Sequence, residues 1–283
     1  MHYHHIECEL QQGVALVWLN RPEVRNAMNG VLIGELCEAV LRATEDEEVR
    51  VILLAGRGKA FCAGADLDWM KKARAMSVEE ARADSAGLAR LLRLLYESPK
   101  PTVARVHGAA FAGGMGLVAA CDIAVASTET RFCLSELKLG LIPAMISPYV
   151  IKAIGERQAR RYFLSAEVFE AAEAWRIGLV QEIAQEAELD AAVNALLGQL
   201  LAAGPRAVAH CKRLIADVAS RPIDDALAAE TARRIAEIRV SDEAQEGIAA
   251  FFEKRPPAWI PGPHPRHGEA SSREKSPEHS GEP

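Results

Sequence analysis

The sequence predicts an α/β fold with mainly parallel strands, and two observations support this prediction. Short apolar runs that end in glycine or polar turns alternate with longer segments whose apolar residues recur at helical spacing. Strand and helix therefore follow one another, as in parallel sheets covered by helices. The 283 residues are 49% hydrophobic and 25% charged, which provides enough apolar material for a sizeable core.

The first half of the chain carries most of the predicted strands. The predicted strands are GVALVWL (13–19), VRVILLAG (49–56), TVARVHGAAF (102–111) and IAVAST (123–128). Residues 30–44 have apolar residues at helical spacing, and residues 77–97 form a long amphipathic helix with leucines on one face. GGMGLVAACD, which begins at Gly113, is predicted to start another helix. Strands and helices thus alternate through residue 128.

The second half reads as mostly helical. RFCLSELKLG (131–140) is predicted to be a strand or turn that leads into a helix beyond residue 141. From about residue 156 the chain is predicted to be almost entirely helical. The last segment, 263–283, is rich in proline, serine and glutamate, and we expect it to be disordered.

Charge and composition argue against several classes of protein. The formal net charge is −6, whereas nucleic-acid-binding domains are usually basic, so no nucleic-acid partner is expected. No apolar run reaches the roughly 18 residues needed to cross a bilayer, and the N-terminus lacks the pattern of a signal peptide. The six cysteines are scattered singly without metal-ligand spacing. We therefore predict a cytoplasmic protein with reduced thiols and without a metal.

Two loops, FCAGADL (61–67) and FAGGMGL (111–117), combine glycine with a helix start. Glycine allows the backbone to approach a ligand closely, and a helix N-terminus offers unpaired N–H groups. Two such loops facing each other would form a cradle for a developing oxyanion. Each loop alone is also compatible with a tight turn, and neither matches a nucleotide-phosphate motif.

The chain resembles the enoyl-CoA hydratase/isomerase (crotonase) family from about residue 10 to residue 260. The segments that carry the resemblance are LNRPEVRNAMN, AFCAGADL, PKPTVARVHGAAFAGGMGLVAACDIAVAS, FCLSELKLGLIP and FFEKRPPAW. The resemblance implies a crotonase-type spiral of ββα repeats in residues 1–195 and a C-terminal helical trimerisation region in residues 196–262. It also implies a homotrimer or a dimer of trimers.

The same resemblance implies how the site works. Backbone N–H groups of Ala63 and Gly113 would hold the thioester oxygen of an acyl-CoA. Hydratases of the family commonly use two glutamates, and one of their positions is Gly116 here. The other maps onto Glu136, whose apolar neighbours should raise its pKa and suit it to proton transfer. Coenzyme A would enter as part of the substrate, so no separate cofactor is expected.

Three functions remain open at this point. The first is a hydratase, because the segment 132–164 resembles bacterial hydratases of 3-methylglutaconyl-CoA (leucine breakdown) and isohexenylglutaconyl-CoA (acyclic terpene breakdown). The second is an enoyl-CoA isomerase in which Glu136 alone moves the proton. The third, from another class, is a non-catalytic CoA-binding or RNA-binding member of the family.

Further candidate residues follow from the resemblance. Those implied to bind CoA are Arg25, Ala27, Ala65, Asp66, Leu67 and Lys254, the last from a neighbouring subunit in some arrangements. Those considered for the acyl pocket are Trp69, Met70, His107 and Tyr149. A glutaconyl-type substrate would need a cationic or polar partner for its second carboxylate, and Tyr149, Ser147 and Lys138 are candidates.

Overall fold

The computed structural model describes residues 3–260, and the tail predicted to be disordered, residues 263–283, lies outside them. The strands of the described part are β1 Ile6–Gln11, β2 Val14–Leu19, β3 Val51–Gly56, β4 Thr102–Val106, β5 Ala109–Phe111, β6 Ile123–Ser127, β7 Arg131–Cys133, β8 Phe169–Glu170 and β9 Glu182–Ala184. The α-helices are α1 Gly30–Glu45, α2 Leu67–Ala73, α3 Val78–Glu97, α4 Gly113–Ala120, α5 Ser147–Ser165, α6 Ala171–Arg176, α7 Leu189–Ala202, α8 Pro205–Val218, α9 Asp225–Arg239 and α10 Asp242–Glu253. Short 3-10 helices span Pro22–Val24, Ser135–Leu139 and Glu186–Glu188.

Local signals in the sequence explain where the two long early helices start. The Asn29 side chain accepts a hydrogen bond from the backbone of Leu32 and so caps α1. Ser77 and Glu80 form a reciprocal capping box at the start of α3. The predicted leucine stripe of α3 is buried, and α3 packs against α1. Both predicted helices are therefore confirmed to within one or two residues.

Two sheets organise the core. The larger has the strand order β1-β2-β3-β4-β6-β9, in which only the β1–β2 pair is antiparallel. The smaller has the order β5-β7-β8, with β5 and β7 parallel. All six residues of β3 are buried because helices or other elements cover both faces. The prediction of mainly parallel strands is confirmed.

The chain alternates between the two sheets and so forms the predicted spiral of ββα repeats. β4 lies in the larger sheet, β5 in the smaller one, and α4 follows; β6, β7 and α5 repeat that order. An earlier turn runs from β3 through Cys62, which makes a parallel bridge to Ala110 of β5, and on to α2 and α3. Each turn thus adds one strand or bridge to each sheet.

The structure corrects the prediction of one strand over residues 102–111. The chain breaks at His107 and Gly108, and β4 and β5 belong to different sheets. Gly108 has φ +64°, and a Cβ atom there would lie 2.1 Å from the carbonyl oxygen of Lys59. Only glycine fits this close approach with that backbone conformation. The turn sends β5, and the loop after it, toward the smaller sheet.

The C-terminal half is less uniformly helical than predicted. β8 joins the smaller sheet and β9 extends the larger one. The predicted boundary at residue 195 falls inside α7, whose Leu189, Val193 and Leu197 pack on buried valines of the larger sheet. α7 is therefore part of the core, and the helices that follow the core begin with α8. Within residues 3–260 no helix is long and apolar enough to cross a membrane.

Candidate active site

The two glycine-containing loops lie side by side. The N–H of Cys62 donates to the carbonyl of Ala109 at 2.9 Å, and the N–H of Phe111 donates to the carbonyl of Cys62 at 3.0 Å. Gly64 contacts the second loop so closely that a Cβ atom on it would lie 3.2 Å from the Cβ of Ala112. The backbone hydrogen bonds fix the relative position of the two loops.

Ala63 is not an available donor, which contradicts its predicted role. Its N–H donates to the carbonyl oxygen of Arg25 at 3.0 Å. A backbone N–H that already has a good acceptor cannot also hold a substrate oxygen without losing that bond. Ala63 instead joins the loop to the early segment around Arg25.

Ala65, two residues later, has the free N–H that Ala63 lacks. It forms a parallel bridge with Met28, in which Met28 donates to the Gly64 carbonyl at 2.7 Å and accepts from the Asp66 N–H at 2.8 Å. In such a bridge the N–H of the central residue points away from the partner segment. Ala65 is an exposed residue, and its N–H donates a hydrogen bond to no acceptor within residues 3–260.

Gly113 supplies the second free N–H. It is the first residue of α4, and no described residue accepts its backbone hydrogen. A Cβ atom on Gly113 would lie 2.1 Å from the Cε atom of Met28, so the side chain of Met28 packs directly on this backbone. Ala112, just before the helix, has φ +49°, an unfavourable value for a residue with a side chain. Strain of this kind is typical of functional turns.

The position of the missing glutamate is closed by another side chain. A Cβ atom on Gly116 would lie 2.1 Å from Cγ2 and 2.7 Å from Cβ of Ile146, which is 2% exposed. Ile146 immediately precedes α5, and α4 and α5 pack together. No side chain fits at residue 116 while Ile146 keeps this position. The absence of the second carboxylate is therefore built into the packing.

Replacing Gly116 by alanine is expected to lower the free energy of unfolding by about 1–3 kcal/mol, because the new methyl group overlaps Ile146. The measurement is urea denaturation. Gly34→Ala in α1 is the matched control, since a Cβ atom there meets nothing within 4 Å. That control should be stabilised by about 0.5–1 kcal/mol, as for other helical glycines. If Gly116→Ala were stabilised like the control, the contact would be wrong.

Glu136 follows strand β7 and so lies at the same end of the smaller sheet as Gly113. β5 and β7 are parallel, with Phe111 opposite Cys133, and the N–H of Ala112 donates to the Cys133 carbonyl at 2.8 Å. The chain then enters α4 from β5 and the Ser135–Leu139 3-10 helix from β7. Because β5 and β7 are parallel neighbours, the segments that follow their carboxyl ends lie at the same end of the sheet.

The carboxylate of Glu136 is partly withdrawn from water. Its Oε2 atom is buried and has no hydrogen-bond partner within residues 3–260. Burial raises the pKa of this carboxyl above its ordinary range, and a hydrogen bond from its own backbone N–H opposes the shift only in part. A buried carboxylate oxygen without a partner is rare, and such a group with a raised pKa is typical of acid–base catalysts.

Five of the six residues predicted to bind CoA lie in the FCAGADL loop or in the segment bonded to it, and the sixth, Lys254, lies elsewhere. Arg25 and Leu67 are exposed, and the Arg25 and Ala27 segment is hydrogen bonded to the FCAGADL loop. Asp66 is buried, and its carboxylate caps α2 and pairs with Arg21 at 2.9 Å, so its side chain is already occupied. Lys254 follows α10, which packs on α8 and α9, and no contact of the described chain joins its side chain to the loops.

Three of the four acyl-pocket candidates have other roles. The Trp69 indole donates to Asp84 at 2.9 Å and packs on the core. His107 is 7% exposed, with Nε2 2.9 Å from the carbonyl oxygen of Gly58. Tyr149 stacks edge-on against Tyr96 beside a cavity of about 570 Å³ that also contacts Cys121, beyond the far end of α4. Met70 is half-buried on α2, with no contact that assigns it to the site.

Two residues near the site were missed by the sequence analysis. Arg21 is 12% exposed in its side chain and pairs with Asp66, and the NRP motif in which it stands was the available signal. Ile146 gave no signal, because it is one apolar residue in the apolar segment before α5. Its role depends on a contact with a residue 30 positions earlier.

Comparison with known proteins shows similarity over most of this chain. A family model described as enoyl-CoA hydratase/isomerase matches residues 9–261. A solved enoyl-CoA hydratase from Shewanella pealeana is 45% identical, with a TM-score of 0.87 over 90% of this chain and 96% of its own. Pseudomonas aeruginosa AtuE is 37% identical, with a TM-score of 0.86 over 91% and 100%. The crotonyl-CoA hydratase of Syntrophomonas wolfei is 32% identical over 262 residues, 92% of this chain and 99% of that protein.

These similarities confirm that the protein is an enzyme with the crotonase fold. The chain belongs to the enoyl-CoA hydratase/isomerase family.

Proposed function

We propose that this protein is an enoyl-CoA hydratase that adds water across the double bond of a 2-enoyl-CoA. The N–H groups of Ala65 and Gly113 hold the thioester oxygen. Water adds its oxygen to the β-carbon, and Glu136 takes up the proton that this water loses and delivers a proton to the α-carbon, so that one water is added in total. The observation that supports this most strongly is the buried, unpartnered Oε2 of Glu136 at the sheet end where Gly113 begins α4. Addition of water to the enoyl group generates an enolate, whose negative charge two aimed N–H donors stabilise.

The proposed substrate is a 3-substituted glutaconyl-CoA, such as 3-methylglutaconyl-CoA or isohexenylglutaconyl-CoA. The resemblance of residues 132–164 to hydratases of these compounds supports it, and the contacts narrow the choice of partner for the second carboxylate. The Ser147 hydroxyl already donates to the Ala144 carbonyl at 2.8 Å, and Tyr149 packs on Tyr96. Lys138 is exposed, lies two residues after Glu136, and has no carboxylate within ion-pair distance in the described chain. Lys138 is therefore the proposed partner.

The test compares 3-methylglutaconyl-CoA, isohexenylglutaconyl-CoA and crotonyl-CoA, with loss of the enoyl absorbance as the signal. We expect at least one glutaconyl thioester to have the highest kcat/KM. Lys138→Met should raise KM for that substrate about tenfold and leave crotonyl-CoA unchanged, since one charge-assisted bond is lost only with the diacid. A preference for crotonyl-CoA in both proteins would contradict the substrate assignment.

An isomerase is the second candidate, and one observation favours it. Ile146 leaves no room for a carboxylate at residue 116, so a single glutamate is available for both proton transfers that a double-bond shift needs. Supplying a 3-enoyl-CoA and looking for the conjugated product tests this activity. The non-catalytic alternative would be favoured if Glu136→Gln changed neither activity.

The C-terminal helices support the proposal of a homotrimer or dimer of trimers. Phe251 and Phe252 on α10 are 79% and 77% exposed, and Ile248 on the same helix is 44% exposed. Large apolar side chains exposed together on one helix are typical of a subunit interface. A neighbouring subunit would also be needed to bring Lys254 near a bound nucleotide. Sedimentation velocity on the full chain, alone and after Phe251→Asp, tests this assignment.

A further inference from the structure

Asp66 uses both oxygens of a buried carboxylate for contacts within the protein. It is 8% exposed, and its Oδ1 accepts the N–H groups of Asp68 at 2.9 Å and Trp69 at 3.1 Å, which caps α2. Its Oδ2 lies 2.9 Å from Nη2 of Arg21. Burial alone would raise the pKa of Asp66, but the hydrogen bonds from Trp69, Arg21 and Asp68 together hold it below its ordinary range. Asp66 is therefore a charged, fixed anchor directly after Ala65.

Arg21 connects this anchor to the early segment. Its Nη1 donates to the carbonyl of Ala27 at 2.5 Å while its Nη2 pairs with Asp66. The Arg21 backbone is fixed in turn, because its N–H donates to the side chain of Asn26 at 2.8 Å. Asn26 is fully buried and also donates to the carbonyl of Ala60 at 2.8 Å. One largely covered guanidinium thus links the two segments that form the Met28–Ala65 bridge.

The N–H of Ala65 makes no hydrogen bond within residues 3–260, although the backbone groups on both sides of it do. The carbonyl of Gly64 before it and the N–H of Asp66 after it are both hydrogen bonded to Met28. The direction of the Ala65 N–H is therefore set by the peptide planes that Met28 and Asp66 hold. We infer that Arg21 and Asp66 are positioning residues that aim the Ala65 N–H at the thioester oxygen. This inference rests on the proposed function.

The expected size of the effect follows from geometry. A misplacement of about 1 Å in an active site can cost on the order of a hundredfold in rate. Asp66→Asn leaves the Arg21 side chain, which is 12% exposed, without its counter-charge, so the loop must shift or admit water. Arg21→Lys keeps the charge but loses the planar fork that bonds Asp66 and the Ala27 carbonyl together. The loss should affect the enolate-like state more than the binding of the CoA part, because only the enolate oxygen depends on the aimed donor.

The experiment uses the full-length protein with Asp66→Asn and Arg21→Lys as variants. Asp68→Asn is the matched control: it makes the same chemical change two residues away, in an exposed pair with Lys71 at 2.8 Å. The readouts are kcat and KM for crotonyl-CoA, the affinity for free CoA, and the enolate absorbance of bound acetoacetyl-CoA. Acetoacetyl-CoA is a suitable probe because its ionised form places negative charge on the thioester oxygen. Thermal unfolding reports whether each variant is folded.

We expect kcat and the bound enolate fraction to fall about tenfold to a hundredfold in Asp66→Asn, and less in Arg21→Lys, while free CoA affinity changes by less than about twofold. The inference is overturned if both folded variants keep kcat and enolate absorbance at the level of Asp68→Asn. If one variant does not fold, the other decides. A wild-type protein that neither hydrates crotonyl-CoA nor ionises acetoacetyl-CoA would instead overturn the proposed function, and this inference with it.

Discussion

Glu136→Gln is expected to lower kcat for enoyl-CoA hydration about 10²–10⁴-fold, because it removes the group proposed to transfer the proton. The effect should lie at the upper end, since Ile146 excludes a second carboxylate at residue 116 that could take over. KM should change little, because the amide keeps nearly the same shape. The measurement is steady-state kinetics with the preferred enoyl-CoA. Glu129→Gln, on an exposed turn before β7, is the control and should keep full activity.

Glu136→Gln is expected to stabilise the protein although it lowers kcat, and the gain in stability depends on pH. The pKa of Glu136 is raised in the folded protein, so the folded state binds more protons than the unfolded state between the two pKa values. Stability of the wild type therefore falls as pH rises through that window, whereas Glu136→Gln is unaffected. We expect the variant to have the higher Tm at about pH 8 and an equal Tm at about pH 4. A lower Tm of the variant at neutral pH would show that the carboxylate has a stabilising partner.

Ala65→Pro is expected to lower kcat about 10²–10³-fold, because proline removes the N–H proposed to hold the thioester oxygen. The bridge to Met28 survives, since it uses the Gly64 carbonyl and the Asp66 N–H. The φ angle of Ala65 is outside the positive range that proline cannot adopt. Steady-state kinetics should show a large loss of kcat, and thermal unfolding reports whether the variant is folded. Ala65→Ser keeps the N–H and serves as the control.

Ala63→Pro tests whether Ala63 or Ala65 donates its N–H to the thioester oxygen. Its N–H donates to the Arg25 carbonyl, so the substitution removes a structural hydrogen bond and should destabilise the protein by about 1–3 kcal/mol. A kcat that falls in Ala63→Pro at unchanged stability, with Ala65→Pro fully active, would restore Ala63 as the donor.

The sequence predicted the order of strands and helices because that order depends on local patterns. The leucine stripe of α3 and the apolar run of β3 could be read within a window of one element. The prediction of one strand over residues 102–111 was wrong because a single glycine, Gly108, does not by itself mark the end of a strand. What breaks it is the contact of Gly108 with Lys59, which lies far away in sequence. β8 and β9 are two and three residues long, too short to show a period.

The site could be predicted in outline but not in its hydrogen bonds. The sequence predicts the two loops and Glu136, but it does not show which backbone N–H groups are already bonded, and the N–H of Ala63, the predicted donor, is bonded to Arg25. Trp69 and His107 were considered for the pocket, but their partners, Asp84 and the Gly58 carbonyl, are 15 and 49 positions away. Long-range contacts of this kind determine which side chains remain free for substrate.

We propose above all that the protein adds water to an enoyl-CoA and that the Glu136 carboxylate transfers the proton. The most direct test incubates the wild-type protein with the preferred 2-enoyl-CoA in ¹⁸O-labelled water and measures product mass. We expect a product heavier by one labelled water, formed by the wild type and by Glu129→Gln but only slowly by Glu136→Gln. A product of unchanged mass with a shifted double bond, or equal labelling by Glu136→Gln, would contradict it.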